Sequence, residues 1–251
     1  MVQFAAEPIV RLGFFSFTNT MLDVLIVDGL LIGAAVYTSK KISMIPGKFQ
    51  NLLEYAIDGL YGLTKAISPT NATRIFPYFM SFFLFILLIN WSGLIPGFGT
   101  IGFFETHEDK KELIPLLRAA TSDINVTLAL ALISAVATHA MSIKVTGIKD
   151  YLSRFFSINP LNLFIGIMEL VGELTKVVSL SFRLFGNILA GEVVLITVSS
   201  IFAFLFPLPF MLLEIVVGLV QALVFSMLTM AFMAVFTTPH HAHEHEEVRN
   251  A

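Results

Sequence analysis

The sequence predicts an all-α polytopic membrane protein with about five membrane-embedded helices and one interfacial amphipathic helix. Hydrophobic residues make up 56% of the 251 residues, charged residues only 13%, and several apolar stretches run without interruption. Soluble domains are roughly 45–50% apolar, and a helix needs about 20 apolar residues to cross a bilayer. Membrane β-barrel strands alternate over about ten residues, so the continuous apolar runs favour helices.

The first expected span covers residues 21–38, after an N-terminal tail at residues 1–20. Lys40 and Lys41 end this apolar run. Residues 46–67 then mix leucine, isoleucine and aromatic residues with Lys, Glu and Asp. That pattern is too polar to cross the hydrocarbon core and is typical of a helix lying at the membrane surface.

Two further spans are expected at residues 76–95 and 121–141. The span at 76–95 ends near Trp91, an aromatic residue of the kind found at membrane interfaces, and Pro96, a helix breaker. The polar residues 96–118 form a loop. Residues 121–123, Thr-Ser-Asp, are suited to cap the next helix at its N-terminus.

The apolar run at residues 159–206 is too long for a simple span. A straight helix of this length would extend about 70 Å, more than twice the ~30 Å thickness of the hydrocarbon core. The segment must therefore break, fold back or lie steeply tilted. Pro207 and Pro209 indicate a turn before the last helix, residues 210–236, and a tail rich in His and Glu follows at residues 239–251.

Loop charges predict the topology. The loops at 38–75 and 142–158, together with the C-terminal tail, hold nine Lys and Arg, whereas the N-terminal tail and the 96–118 loop hold four. The positive-inside rule places the first group in the cytoplasm, so we expect the N-terminus outside and the C-terminus inside. The absence of cysteine excludes disulfides and thiol chemistry, and the net charge of −3 argues against nucleic acid as a partner.

Arg183 lies near the middle of the long apolar segment. A guanidinium stays protonated at physiological pH, and placing it in hydrocarbon costs from ~2.5 to well over 10 kcal/mol. An intramembrane arginine is therefore interpreted first as a functional site, where it provides a fixed positive charge. At 100° per residue, polar side chains at helical spacing from Arg183 extend one face of the segment: Glu169, Glu173, Lys176, Ser179 and Asn187.

Glu192 falls on roughly the opposite face of this helix, about 13 Å beyond Arg183. Glu214 and Gln221 are seven residues apart and share a face of the last helix. If the two helices pack antiparallel, Glu214 can approach Glu192 and Gln221 can approach Arg183. Since desolvated carboxylates hold protons more readily than carboxylates in water, the pattern indicates two polar routes kept apart by a fixed cation.

Simpler interpretations stay open from the residues alone. Arg183 could pair with a glutamate only to stabilise the helix bundle, and Glu169 and Glu173 could reach water at a helix end. The protein could also be a self-contained secondary transporter or channel. Against a transporter stands the absence of an inverted internal repeat.

Three strings in the sequence resemble one family. The first is Ser179-Leu-Ser-Phe-Arg183-Leu-Phe-Gly-Asn187-Ile-Leu-Ala-Gly-Glu192, which is preceded by Asn159-Pro-Leu-Asn162. The second is Asp123-Ile-Asn125-Val-Thr127, and the third is Gln221-Ala-Leu-Val-Phe. They resemble the signatures of subunit a of F-type ATP synthases, from about residue 46 onward. The resemblance implies a non-catalytic stator subunit beside a rotating c-ring of small hairpin subunits. It also implies that the last two helices form a long, strongly tilted hairpin against that ring.

The resemblance assigns roles by position. Arg183 matches the arginine that faces the ring carboxylate, and Gln221 matches a glutamine near it. Glu192 matches the outer half-channel, and Glu214 stands where some bacterial members carry His. Glu169 and Lys176 match the cytoplasmic half-channel, Glu173 is added as a neighbour, and Asp123 and Asn125 match the outer channel mouth.

The resemblance also implies partners and a location. The partners are the c-ring, the peripheral-stalk b subunits, the rest of the ATP synthase complex and the lipid bilayer. No cofactor and no metal are expected. The location is a bacterial plasma membrane rather than an organelle inner membrane, and the translocated ion, proton or sodium, is not set by this chain.

Overall fold

The computed structural model describes residues 8–12, 15–95, 102–107, 110–115, 117–155, 160–201 and 206–238. Helices account for most of this part of the chain. They are α1 (Asn19–Lys41), α2 (Lys48–Ile67), α3 (Ala72–Ser92), α4 (Ile124–Thr146), α5 (Ile148–Phe155), α6 (Pro160–Ile201) and α7 (Pro207–Phe236). In these described ranges, five helices are long and apolar enough to cross a membrane: α1, α3, α4, α6 and α7. The predicted class, an all-α polytopic membrane protein, is confirmed.

Local sequence explains where several helices begin and end. Thr18 precedes α1, and its hydroxyl accepts a hydrogen bond from the Met21 amide, as N-cap residues do. Asp123 caps α4, because its Oδ1 accepts a 2.9 Å hydrogen bond from the Asn125 amide. Gly147 joins α4 to α5 with φ of +88°, a backbone angle that favours glycine.

The structure adds short elements where the sequence predicts only a tail and loops. β1 (Pro8–Leu12) pairs antiparallel with β2 (Phe15–Thr18), and β3 (Gly102–His107) with β4 (Lys110–Pro115). α5 occupies the basic loop expected at 142–158. The His-rich tail at 239–251 and Asn159 lie outside the described residues.

The chain divides into two compact units. Of the described residues, those within 1–44, 82–128 and 181–225 form the first unit, and those within 45–81, 129–180 and 226–251 form the second. The core of the first unit includes Val27, Ile89 and Ala120. The core of the second unit is built on buried apolar side chains of α3, α4 and α7: Ile75, Phe79, Met141, Met230 and Met233.

Large apolar side chains also cover the surfaces of the helices. Leu170 and Phe182 on α6 are both 57% exposed, and Leu212 on α7 is 66% exposed. Such surfaces are stable in contact with lipid or with another membrane subunit. On α2, apolar and charged residues are both mostly exposed, so this helix offers an apolar face that the chain itself does not cover.

Candidate ion-translocation site

Two carboxylates lie together in the first unit. Glu214 on α7 is only 7% exposed, and its carboxylate lies against Gly191 on α6 so closely that a Cβ added there would overlap it. Glu192 is the next residue on α6, and the two carboxylates are near enough for their charges to interact. The missing side chain at Gly191 therefore makes the space in which this carboxylate pair forms.

Arg118 provides a positive charge beside this pair. Its Nη2 lies 3.9 Å from Glu192 Oε2, and its Nε donates a 3.0 Å hydrogen bond to Ser122 Oγ. The distance to Glu192 is longer than a direct hydrogen bond and can be bridged by water. Sequence reasoning missed Arg118, counting it only as a loop charge, although its position five residues before the helix-capping Asp123 was a usable signal.

Arg183 is exposed on α6 and has no hydrogen-bond or ion-pair partner in the part of the chain that the structure describes. Gln221 was expected to approach it. The structure instead pairs Gln221 with Asn187, one helical turn further along α6: Asn187 Nδ2 donates a 2.9 Å hydrogen bond to Gln221 Oε1. Ser179 is also exposed on α6.

A polar network links α1, α3 and the start of α4 in the first unit. Asp123 Oδ2 accepts a hydrogen bond from Thr20, and its Oδ1 also accepts one from the Asn125 side chain. Asp23, fully buried on α1, accepts 3.0 Å hydrogen bonds from the Ser92 hydroxyl and the Ala120 amide. Asp123 thus ties the beginning of α4 directly to α1, and Asn125 joins this network through Asp123.

The second unit holds the other predicted glutamates. Glu169 Oε1 accepts hydrogen bonds from Nε and Nη2 of Arg154, each at 2.7 Å. Arg154 Nη1 also donates to the Val235 carbonyl, and the guanidinium lies 4.3 Å from the centre of the Phe236 ring. This ion pair joins α5 to α6 and places Arg154 against the end of α7.

Glu173 is the centre of a second cluster in the same unit. Lys176 Nζ donates a 2.5 Å hydrogen bond to Glu173 Oε2, while the Lys176 ammonium lies 4.2 Å from the centre of the Phe232 ring. His139 Nε2 is 3.5 Å from the same glutamate oxygen, and His139 Nδ1 is 3.1 Å from the Tyr151 hydroxyl. The buried lysine is therefore neutralised by Glu173 and covered by an aromatic face.

Sequence reasoning missed His139, Tyr151 and Arg154. His139 is a single polar residue in the apolar stretch of α4, and the other two fall in a segment interpreted as a basic loop. Tyr151 lies outside the membrane-spanning helices. Burial raises the pKa of its phenol, the charges of Glu173 and Glu169 raise it further, and Arg154 lowers it.

The described residues hold no group of three or more His, Asp and Glu side chains placed to share a metal ion. The arrangement instead offers single ionisable groups in hydrogen-bonded chains. Ionisable groups arranged in this way at membrane depth mark ion pathways and proton relays.

Comparison with known proteins identifies relatives along most of the chain. The sequence model of the family described as ATP synthase A chain matches residues 18–234. ATP synthase subunit a of Moorella thermoacetica is 31% identical over 232 residues, which cover 92% of this chain and 96% of the relative. ATP synthase subunit a of Geotalea daltonii is 34% identical over 211 residues, which cover 83% of this chain and 82% of the relative.

Proposed function

Because the chain belongs to the ATP synthase A chain family, we propose that it is the ion-translocating stator subunit of a rotary F-type ATP synthase. The observation that carries the proposal is Arg183, a permanent cation exposed on an apolar helix and left without a partner among the described residues. A charge of this kind in a membrane needs an opposite charge from elsewhere. The carboxylate of a c-ring subunit supplies it.

The polar residues of the first unit form the outer half-channel in this proposal. Asp123 and Asn125 lie at its mouth, and the Glu192 and Glu214 pair exchanges protons within it. Support comes from the proximity of the two carboxylates and from Arg118 at 3.9 Å from Glu192. Carboxylates at membrane depth are typical of proton pathways.

The glutamates of the second unit belong to the cytoplasmic half-channel. Glu169 and Glu173 supply groups that exchange protons, and Lys176 limits the negative charge that the channel accumulates. The hydrogen bonds from Arg154 to Glu169 and from Lys176 to Glu173 support this assignment, because they stabilise charged side chains at membrane depth.

Arg183 separates the two half-channels by charge. It attracts the ionised ring carboxylate and repels a proton moving directly between the half-channels. Asn187 and Gln221 hold α6 and α7 together one turn away, and Ser179 extends the polar face on the other side. The ion-motive force then drives ring rotation, at about 2.3 kcal/mol per elementary charge per 100 mV.

The partners of the chain are then the c-ring, the peripheral-stalk b subunits and the remaining ATP synthase subunits. The uncovered apolar surfaces of α6 and α7 suit contact with the ring and with lipid. The protein is a membrane protein, and we place it in a bacterial plasma membrane with its N-terminus outside and its C-terminus in the cytoplasm.

The test is ATP-driven proton pumping in inverted membrane vesicles carrying the assembled complex. Arg183→Ala should abolish pumping while the complex stays assembled. Arg74→Ala, which removes an exposed arginine of α3 outside both clusters, is the matched control and should pump normally. Normal pumping by Arg183→Ala would refute the proposal, and so would ion transport by the purified chain in liposomes without the ring.

A further inference from the structure

His139 lies between two hydrogen-bonding groups and has no role in the function proposed so far. On one side, its Nε2 faces Glu173 Oε2 at 3.5 Å, and on the other its Nδ1 lies 3.1 Å from the Tyr151 hydroxyl. The ring packs edge-on against Phe236, with centroids 5.5 Å apart. Because each ring nitrogen can donate or accept according to tautomer, an imidazole in this position can take up a proton at one nitrogen and release one at the other.

A small polar cavity adjoins this histidine through Tyr151. Its walls include Ser142, Thr146, Asp150, Arg154 and Thr238, together with Tyr151. Hydroxyl, carboxylate and guanidinium groups make such a space favourable for water. Tyr151 thus links a polar cavity beside α5 to the imidazole, and the imidazole links Tyr151 to Glu173.

We propose that His139 is a proton-relay residue that passes protons between the cavity at Tyr151 and Glu173 in the cytoplasmic half-channel. The inference deepens the proposed function and rests on it. For a proton leaving the membrane, a proton that arrives at the Glu173 carboxylate passes on to Nε2 of the neutral imidazole. This gives an imidazolium and restores the carboxylate that pairs with Lys176. Nδ1 then releases its proton to the Tyr151 hydroxyl, which passes its own proton to water in the cavity. A water-mediated proton shift from Nε2 to Nδ1 restores the starting tautomer.

The charged groups around His139 support such a relay. From α6, Glu173 faces the ring and is already bound to the Lys176 ammonium. From α5, Tyr151 reaches the ring, while Arg154 is engaged with Glu169. From α7, Phe236 contributes no charge. Glu173 is the only carboxylate among these described neighbours that meets the imidazole directly, and histidine is the side chain that exchanges protons most readily near neutral pH.

The experiment measures ATP-driven pumping in inverted vesicles as the pH of the medium, which bathes the cytoplasmic face, is varied. His139→Gln keeps a polar side chain that cannot relay a proton. It should lower the pumping rate at least ~10-fold and change how the rate depends on pH. Free imidazole added to the medium should partly restore pumping in His139→Ala, which a purely structural role would not allow.

Tyrosine variants provide the matched comparison. Tyr151→Phe removes the hydroxyl that links His139 to the cavity and should lower the pumping rate less than His139→Gln does. Tyr61→Phe removes a hydroxyl that contacts only Thr73 among the described contacts, and it should pump normally. Comparable subunit content in all membranes establishes assembly.

The outcomes separate this inference from the proposed function. A wild-type rate and pH profile in His139→Gln would overturn the relay, even if Arg183→Ala abolishes pumping. If the His139 variants fail to assemble, the assembled Tyr151→Phe variant decides the question. A wild-type dependence of its pumping rate on pH would also overturn the relay. Normal pumping by Arg183→Ala would instead contradict the stator function itself.

Discussion

Asn187 Nδ2 donates a 2.9 Å hydrogen bond to Gln221 Oε1 and so connects α6 to α7 within the first unit. Gln221 is only 4% exposed, and Asn187 lies one helical turn beyond Arg183. In an apolar environment, water cannot replace a lost amide partner. This pair therefore determines which residues of α7 lie beside the part of α6 that carries the arginine.

Removing both members of this pair should cost less stability than the sum of the two single losses. Gln221→Leu or Asn187→Leu leaves one amide unpaired, which costs about 1–3 kcal/mol where the group is buried. The double variant loses the pair but leaves no orphaned amide, so its loss of stability should be less than the sum. Thermal unfolding of the detergent-solubilised complex measures this, and strictly additive losses would contradict the interpretation.

Gly191→Ala should displace the Glu214 carboxylate. A Cβ at Gly191 overlaps that carboxylate, whereas a Cβ at Gly33 of α1 meets no atom within 4 Å. Overpacking of this kind costs about 1–3 kcal/mol, so Gly191→Ala should lower both thermal stability and ATP-driven pumping. Gly33→Ala is the control and should change neither. Restored stability in Gly191→Ala combined with Glu214→Ala would identify the overlap as the cause.

Glu192→Gln should strongly depress ATP-driven pumping, because an amide cannot take up and release a proton at a position that we assign to the outer half-channel. The expected loss is on the order of 100-fold, as for removal of a positioned proton-transfer group. Glu54→Gln changes an exposed glutamate of α2 that contacts Gln50 and should pump normally. Near-normal pumping by Glu192→Gln would remove Glu192 from the pathway.

Asp23→Ala should destabilise the first unit. It leaves the buried Ala120 amide without its acceptor, at a cost of about 1–3 kcal/mol. It also removes one of two acceptors of the Ser92 hydroxyl, which keeps its hydrogen bond to the Ile89 carbonyl. Asp28 lies on the same helix without a hydrogen bond among the described residues, so Asp28→Ala is the control. Equal melting temperatures for the two variants would show that the Asp23 contacts contribute little.

Titration of Tyr151 should occur above the ordinary tyrosine range. Burial and the charges of Glu173 and Glu169 raise the pKa of its phenol. As the pH rises, the Tyr151 phenol therefore loses its proton in the unfolded chain before it does so in the folded protein. The contribution of Tyr151 to the free energy of unfolding is constant below about pH 10. It is lost as the pH rises from there through the raised pKa of the folded protein. Ultraviolet difference spectra of wild type and Tyr151→Phe isolate the phenol. Ionisation of Tyr151 at or below pH 10 would contradict the prediction.

The parts of the fold that the sequence predicts are those with strong local signals. The long apolar runs predicted the membrane-spanning class, and the Thr-Ser-Asp string predicted a cap that Asp123 supplies at the start of α4. The two hairpins and α5 were missed. Each of these elements is only four to eight residues long. Over so short a stretch, the spacing of hydrophobic residues does not distinguish a helix from a strand or a loop.

By itself, the sequence determined the fold class and the positions of Arg183, Glu192 and Glu214 on apolar helices, because bilayer thickness and helical periodicity act on residues that are neighbours in the chain. Only the tertiary structure decided that Arg118 lies beside Glu192, that Asn187 rather than Arg183 meets Gln221, and that His139 joins Tyr151 to Glu173. These contacts bring together residues from 12 to 74 positions apart in the chain, and they depend on helix packing that no local pattern encodes.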